Sequence, residues 1–276
     1  MGSRFSSGFT IIELMLFLAI TGLLISGILV NAAGSLNDQH YRDGVESFRN
    51  KISSQYAKVY SLTNSNTVNN ETTNVDPCEY IAGNPSATTL RGTSDCLYVG
   101  RLVEVIPASN MSKLRITPVV AKQRADLDMG QYYANQQSGA NVATDGGISA
   151  INARYQIAQY TGSSALVEED QLDWGLAAVS SGSNAMTRTS LLILRSPIDG
   201  TVQTYNLLAQ EPDTINYQDL GSRLSAEYAK SVKFCMADLS GSLEPGQRMA
   251  VIVQKSATGP GDVETRLNNT EGAPEC

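Results

Sequence analysis

The stretch Ser7 to Val30 reads SGFTIIELMLFLAITGLLISGILV, and from Phe9 to Val30 its only charge is Glu13. As a helix those 22 residues are long enough to cross a hydrocarbon layer of ~30 Å. A run that is apolar all round has no polar face to give to water, so it belongs in lipid or among other apolar helices. A lone charge in lipid costs about 2.5–3.5 kcal/mol on insertion scales. Glu13 therefore needs an explanation. Arg4 and the N-terminal amine precede the run, and the positive-inside rule puts Met1 in the cytoplasm and the remainder outside.

Three readings compete. A secretory signal peptide has support in VNAAG, which offers small residues for cleavage near Ala33. Its usual apolar core is shorter, and Glu13 sits inside this one. A plain transmembrane anchor accounts for the length and leaves the carboxylate as an unexplained cost. The third reading accounts for both.

GFTIIE resembles the processing site of type IV prepilins and of the related pseudopilins of type II secretion. The resemblance implies that a dedicated peptidase cuts between Gly8 and Phe9, so that residues 1–8 are a leader, and methylates the new N-terminus on Phe9. It implies that Glu13, fifth in the processed chain, meets the N-terminal ammonium of a neighbouring subunit. The physics is compatible with that role, because a complementary ion at close range offsets the cost of a carboxylate in lipid. Two positions depart from the family pattern. Ser7, with Arg4 further back, stands where many members carry a base, and Val30 stands where many major pilins carry proline. Gly22, Gly27 and Gly34 are the residues that would loosen the helix instead.

The helix does not stop where the apolar run stops. Val45, Phe48, Ile52, Tyr56 and Val59 recur at spacings of three and four, which is one face of an α-helix. Arg42, Glu46, Arg49, Lys51 and Lys58 lie off that stripe or at its border. A single helix over residues 9–62 is expected, about 80 Å long, apolar over 9–33 and amphipathic beyond. Residues 63–96 are polar and turn-prone and read as a loop region. Residues 97–276 read as a β-rich head. Its strands are expected at LYVGRLVEVI, KLRITPVVA, ARYQIAQYT, LLILRS, TVQTYNLLA, VKFCMADL and RMAVIVQK. SPIDGTV supplies a hairpin turn and SLEPGQ another. Residues 122–150 read as a long loop. Residues 256–276 are rich in Gly, Asn and Thr and would be mobile without the bond from Cys276. The fold class is α+β: a long helix packed on an antiparallel sheet, with length enough for a second small sheet.

The four cysteines, Cys78, Cys96, Cys235 and Cys276, contain no C-x-x-C pair, and His40 is the only histidine. That pattern argues against zinc. Behind an export-type segment, an even count reads as two disulfides. Three connectivities are open. Nearest-neighbour pairing, Cys78 with Cys96 and Cys235 with Cys276, is preferred over the others and over four buried thiols.

Chemistry has little footing. His40 follows the apolar segment and reads as a solvated or headgroup-level residue. A Ser–Lys dyad remains open, because such dyads are recognised by geometry. The run VEEDQLD (Glu168, Glu169, Asp170, Asp173) lacks the spacing of a calcium loop and reads as a solvated charge run. Trp174 reads as a core or sheet residue. Lys113, Arg115, Lys122 and Arg124 form at most a weak basic patch on a chain of net charge −7, which speaks against nucleic acid as a partner without excluding it. Asn70, Asn110 and Asn268 are formal glycosylation sequons.

The expectation is a structural, non-enzymatic subunit of a type IV pilus, without cofactor or metal. By resemblance its partners are other pilin subunits, a prepilin peptidase, a membrane assembly platform and, before assembly, lipid. It would start as a single-pass protein of the cytoplasmic membrane and end in an extracellular fibre or an envelope pseudopilus. A minor pilin or pseudopilin of a secretion or competence system is the alternative within the family. A membrane-anchored or secreted binding protein or enzyme with a chance motif is the alternative outside it.

Overall fold

The computed structural model describes residues 10–61, 96–109, 111–123, 151–152, 154–160, 167–181, 183, 185–207, 220–221, 224, 231–239, 248–255, 257–267 and 276. Residues 1–9, 62–95 and 124–150 lie outside them, as does the SLEPGQ turn; of the expected loop region 63–96 only Cys96 is described, and it belongs to a strand.

Helix α1 runs Ile11–Tyr60 without interruption. It starts on Thr10, an extended N-cap, and ends at Ser61, whose N–H returns to the Ala57 carbonyl. Gly22, Gly27 and Gly34 do not break it, and a Cβ added at any of them would meet nothing within 4 Å. The amphipathic stripe is buried as its spacing demands: Val45, Phe48, Ile52, Tyr56 and Val59 are inaccessible, and Tyr41 extends the stripe by one turn. Each such side chain contributes about 1.5–3 kcal/mol on burial.

Among the described residues, the head has ten antiparallel strands in two sheets. They are β1 (Cys96–Ala108), β2 (Met111–Gln123), β3 (Tyr155–Gln159), β4 (Glu168–Gln171), β5 (Leu176–Val179), β6 (Thr189–Arg195), β7 (Val202–Asn206), β8 (Val232–Asp238), β9 (Met249–Val253) and β10 (Val263–Leu267). The larger sheet has the order β3-β2-β1-β6-β7, with β4 pairing further along β2. The smaller has the order β10-β9-β8-β5. β1 and β2 form a long hairpin in register from Cys96 opposite Lys122 to Ala108 opposite Met111. Its register shifts between Tyr98 and Gly100. A Cβ at Gly100 would collide with the Ile193 carbonyl oxygen of β6, so only glycine fits there.

The amphipathic half of α1 lies against both sheets. Val103, Val105, Leu114, Ile116, Leu191 and Ile193 from the larger sheet meet it, as do Leu176, Phe234, Met236, Val251 and Val263 from the smaller. The opposite face of the larger sheet carries a second cluster around Leu102, Val119, Ile157, Leu192 and Tyr205. The opposite face of the smaller sheet carries Val179, Ile252 and the Cys235–Cys276 disulfide.

Two phenols fasten the helix. Tyr41 Oη donates to the Met236 carbonyl and accepts from the Met249 N–H, each at 2.8 Å, bridging β8 and β9. Tyr56 Oη shares a 2.8 Å bond with Thr204 Oγ1 of β7, which donates to the Ala257 carbonyl at 2.8 Å. Burial pushes both phenols up to about 12, and for Tyr41 the bond accepted from the Met249 N–H pulls the other way.

The expected hairpin at Ser196 is present: Ser196 N–H bonds the Thr201 carbonyl at 2.7 Å, with Gly200 at φ 75. Three elements depart from expectation. VEEDQLD is exposed as expected, but Glu168–Gln171 within it is an edge strand. LAAV forms β5 although alanine has little strand propensity. Within residues 256–276, where no strand was expected, Val263–Leu267 pairs with β9 from Met249 to Val253.

Candidate functional site

From Ile11 to Leu29, thirteen large apolar side chains are each more than half exposed, Ile11 and Ile12 by more than three quarters. A typical monomer's largest apolar patch is about 300–600 Å². Thirteen side chains of this size around a helix exceed that severalfold, and none of the described residues packs over this half of α1. The helix is long and apolar enough to cross a membrane.

At its start, Thr10 and Glu13 form a capping box. Glu13 N–H donates to Thr10 Oγ1 at 3.3 Å, while Thr10 N–H and Thr10 Oγ1 both donate to Glu13 Oε2 at 3.0 Å. Two amide protons that would otherwise be orphaned at the helix end are satisfied by this exchange. Oε1 takes no part in it. The T-x-x-E spacing is a legible capping signature, but the sequence reading missed it.

Where the helix enters the head, the turn Asp173–Gly175 packs beside it. Trp174 was expected in the core or in a sheet, and it lies in neither. Instead it is 58 % exposed and stacks on His40, with ring centroids 4.1 Å apart and planes within 7°. Its backbone is left-handed at φ 57, followed by Gly175 at φ 71. Holding a non-glycine residue there costs about 1–2 kcal/mol. An indole in the core would need no such turn.

Further up the helix, the acidic residues form an ion-paired seam. Lys51 Nζ lies 2.6 Å from Asp170 and 3.7 Å from Asp173, to which Ser47 Oγ donates at 2.8 Å. Glu168 receives Lys58 at 2.8 Å and Arg101 at 2.7 Å. Burial raises the Glu168 carboxyl, but the hydrogen bonds from Lys58 and Arg101 outweigh it and hold the group below the usual carboxylate range. Strand alternation sends Glu168 and Asp170 to the helix side. Glu169 goes to the other side, where it meets Arg115 at 2.6 Å. Along this side of α1 lies an open depression of about 540 Å³ lined by Asp43, Glu46, Ser47, Asn50, Lys51 and Ser54.

The basic patch does not assemble. Arg115 is paired with Glu169, and Lys122 sits nine positions from Lys113 on the opposite face of β2. Arg124 lies outside the described residues. Ser47 donates to a carboxylate rather than to a lysine, so this cluster is not a Ser–Lys dyad. Among the described residues, no three His, Cys, Asp or Glu side chains converge as metal ligands.

The Cys235–Cys276 bond is formed, with Cα atoms 5.5 Å apart. Gly8, Phe9, Cys78, the side chain of Cys96, Asn70, Asn110 and Asn268 lie outside the described residues, and with them the processing site and the second pairing. No protein-family model, curated protein or solved structure matches the chain.

Proposed function

We propose that this protein is a type IV pilin-like filament subunit, cut after Gly8, methylated on Phe9 and polymerised through the apolar half of α1. One observation carries the reading: a continuous helix has its second half buried between two sheets and its first half bare, apolar and marked by a single carboxylate. Lipid and neighbouring helices are the two environments that suit such a surface. On insertion scales its Leu, Ile, Phe and Val residues favour the bilayer by about 0.3–0.6 kcal/mol each. Fourteen of them between Phe9 and Val30 outweigh one charge near the boundary.

The subunit would wait in the cytoplasmic membrane with its head outside. The capping box gives Glu13 a defined position before assembly. Because both bonds from Thr10 end on Oε2, Oε1 is the oxygen that an incoming ammonium would meet. Docking would then add a partner without uncapping the helix. Burying apolar helices against one another replaces lipid contacts with protein contacts. Gly27 and Gly34, two turns apart with open space around them, allow close approach. The heads would coat the fibre.

The test is the intact mass and N-terminal peptide of native protein from membranes and from sheared surface material. Methylated Phe9 at the start of the sheared species is the expected result. A chain beginning near Ala33 refutes the reading. Glu13→Ala should leave the protein in the membrane and weaken its incorporation. Unchanged assembly removes the role given to Glu13.

A further inference from the structure

Trp174 is the chain's only tryptophan, and it is held out of the core by its own backbone. Gly44 on α1 leaves room for it, since a Cβ there would come within 3.3 Å of its Cδ1. One face of the indole rests on the His40 imidazole, and more than half of the side chain remains exposed. The result is an aromatic pair presented sideways at one fixed level of the helix.

That level is set by length. Thr10 and His40 are thirty positions apart, about 45 Å along a helix axis. A bilayer including its headgroups is about 40–45 Å thick. Asp38 is the first charge after Glu13, and it pairs with Arg42 at 3.2 Å. With Glu13 in one headgroup layer, Asp38, His40, Arg42 and Trp174 fall in the other. Indole, apolar in body with one N–H donor, concentrates in that layer.

We infer that Trp174, backed by His40, docks the head on the outer headgroup layer of the membrane while the subunit is still embedded there. The inference rests on the membrane-spanning reading of α1 and adds to it. The apolar run fixes that the chain crosses; Trp174 fixes how deep the head sits and which side of it faces lipid.

The single tryptophan makes the test direct. The full chain is reconstituted into phosphatidylcholine vesicles that are plain, nitroxide-labelled on the headgroup, or nitroxide-labelled deep in the acyl chain. Headgroup nitroxide should remove about half of the indole emission and deep nitroxide much less. Vesicles that carry the protein on flotation but leave its emission unquenched by either label overturn the docking and keep the spanning helix. Stronger quenching by the deep label also overturns it. A chain that does not float with the vesicles overturns both.

Discussion

Raising the pH should dismantle this fold through three phenols. Tyr41, Tyr56 and Tyr205 are buried, and burial pushes each up to about 12. An unfolded tyrosine ionises near ~10. Below that pH both states hold the proton and the stability is fully present. Above it the unfolded chain releases protons that the folded chain retains, so stability falls until the folded pKa is reached. Each phenol contributes about 1.4 kcal/mol per pH unit across the window, and the three together on the order of 8 kcal/mol. That is comparable to the whole stability of a domain, about 5–15 kcal/mol. Guanidinium melts of the detergent-solubilised chain at stepped pH measure it directly. The unfolding free energy should be level up to pH ~10 and then fall steeply to pH ~12. Tyr205→Phe should reduce that slope by about one third while leaving the hydrogen bonds to α1 in place. A free energy that stays level through the window refutes the reasoning. So does a native chain whose twelve tyrosines all show phenolate absorbance by pH ~11.

Other perturbations test other elements. Gly100→Ala should cost about 1–3 kcal/mol in chemical denaturation, because its Cβ meets the Ile193 carbonyl and the β1–β6 ladder has to part. Selective reduction of Cys235–Cys276, which spans 41 positions, should lower stability by about 4 kcal/mol on the chain-entropy argument, read as a shift of the denaturation midpoint. Glu168→Gln should cost no more than about 1 kcal/mol, since the carboxylate is partly exposed, and the loss should shrink as salt is added. The same carboxylate contributes stability above its unfolded pKa that is lost as pH falls through its lowered folded value, so the variant should flatten the acid limb of the stability profile. Thr10→Val should cost about 1 kcal/mol of helix start, read as earlier fraying at residues 11–14 in hydrogen exchange.

What could be read beforehand follows from whether the signal is local. The stripe from Val45 to Val59 announces its helix because the periodicity lies within one turn-to-turn spacing, and the β-branched runs in β1 and β2 are equally local. Glu168 to Gln171 carries no such signal. Its strand exists because Arg115 lies across from Glu169 in the β2–β4 register, and because Lys51, Lys58 and Arg101 receive its other face. Those partners stand roughly fifty to a hundred and twenty positions away. β10 is likewise defined by β9 and by Arg49 of α1, which donates to the Val263 carbonyl at 2.9 Å. Trp174 was misplaced because a hydrophobicity rule assigns large apolar residues to the core. The left-handed turn that turns it outward is invisible until Gly175 and the helix beside it are placed. In the candidate site, Glu13 was legible from its isolation in an apolar run. Its bond to Thr10 follows from the same six letters.

The placement of α1 between two sheets has a mechanical consequence. From Tyr41 to Val59 the helix presents its stripe to both sheets, over about 27 Å of axis. A pull along that axis loads these contacts in shear, side by side, instead of peeling them one after another. Sliding the helix by even one turn, about 5.4 Å, would require Tyr41 to leave β8 and β9, Tyr56 to leave Thr204, and Lys51 and Lys58 to leave β4 in the same event. Contacts that yield only together resist tension far better than their separate strengths suggest. Tension applied along α1 would thus reach the head as a shear load shared by the whole stripe.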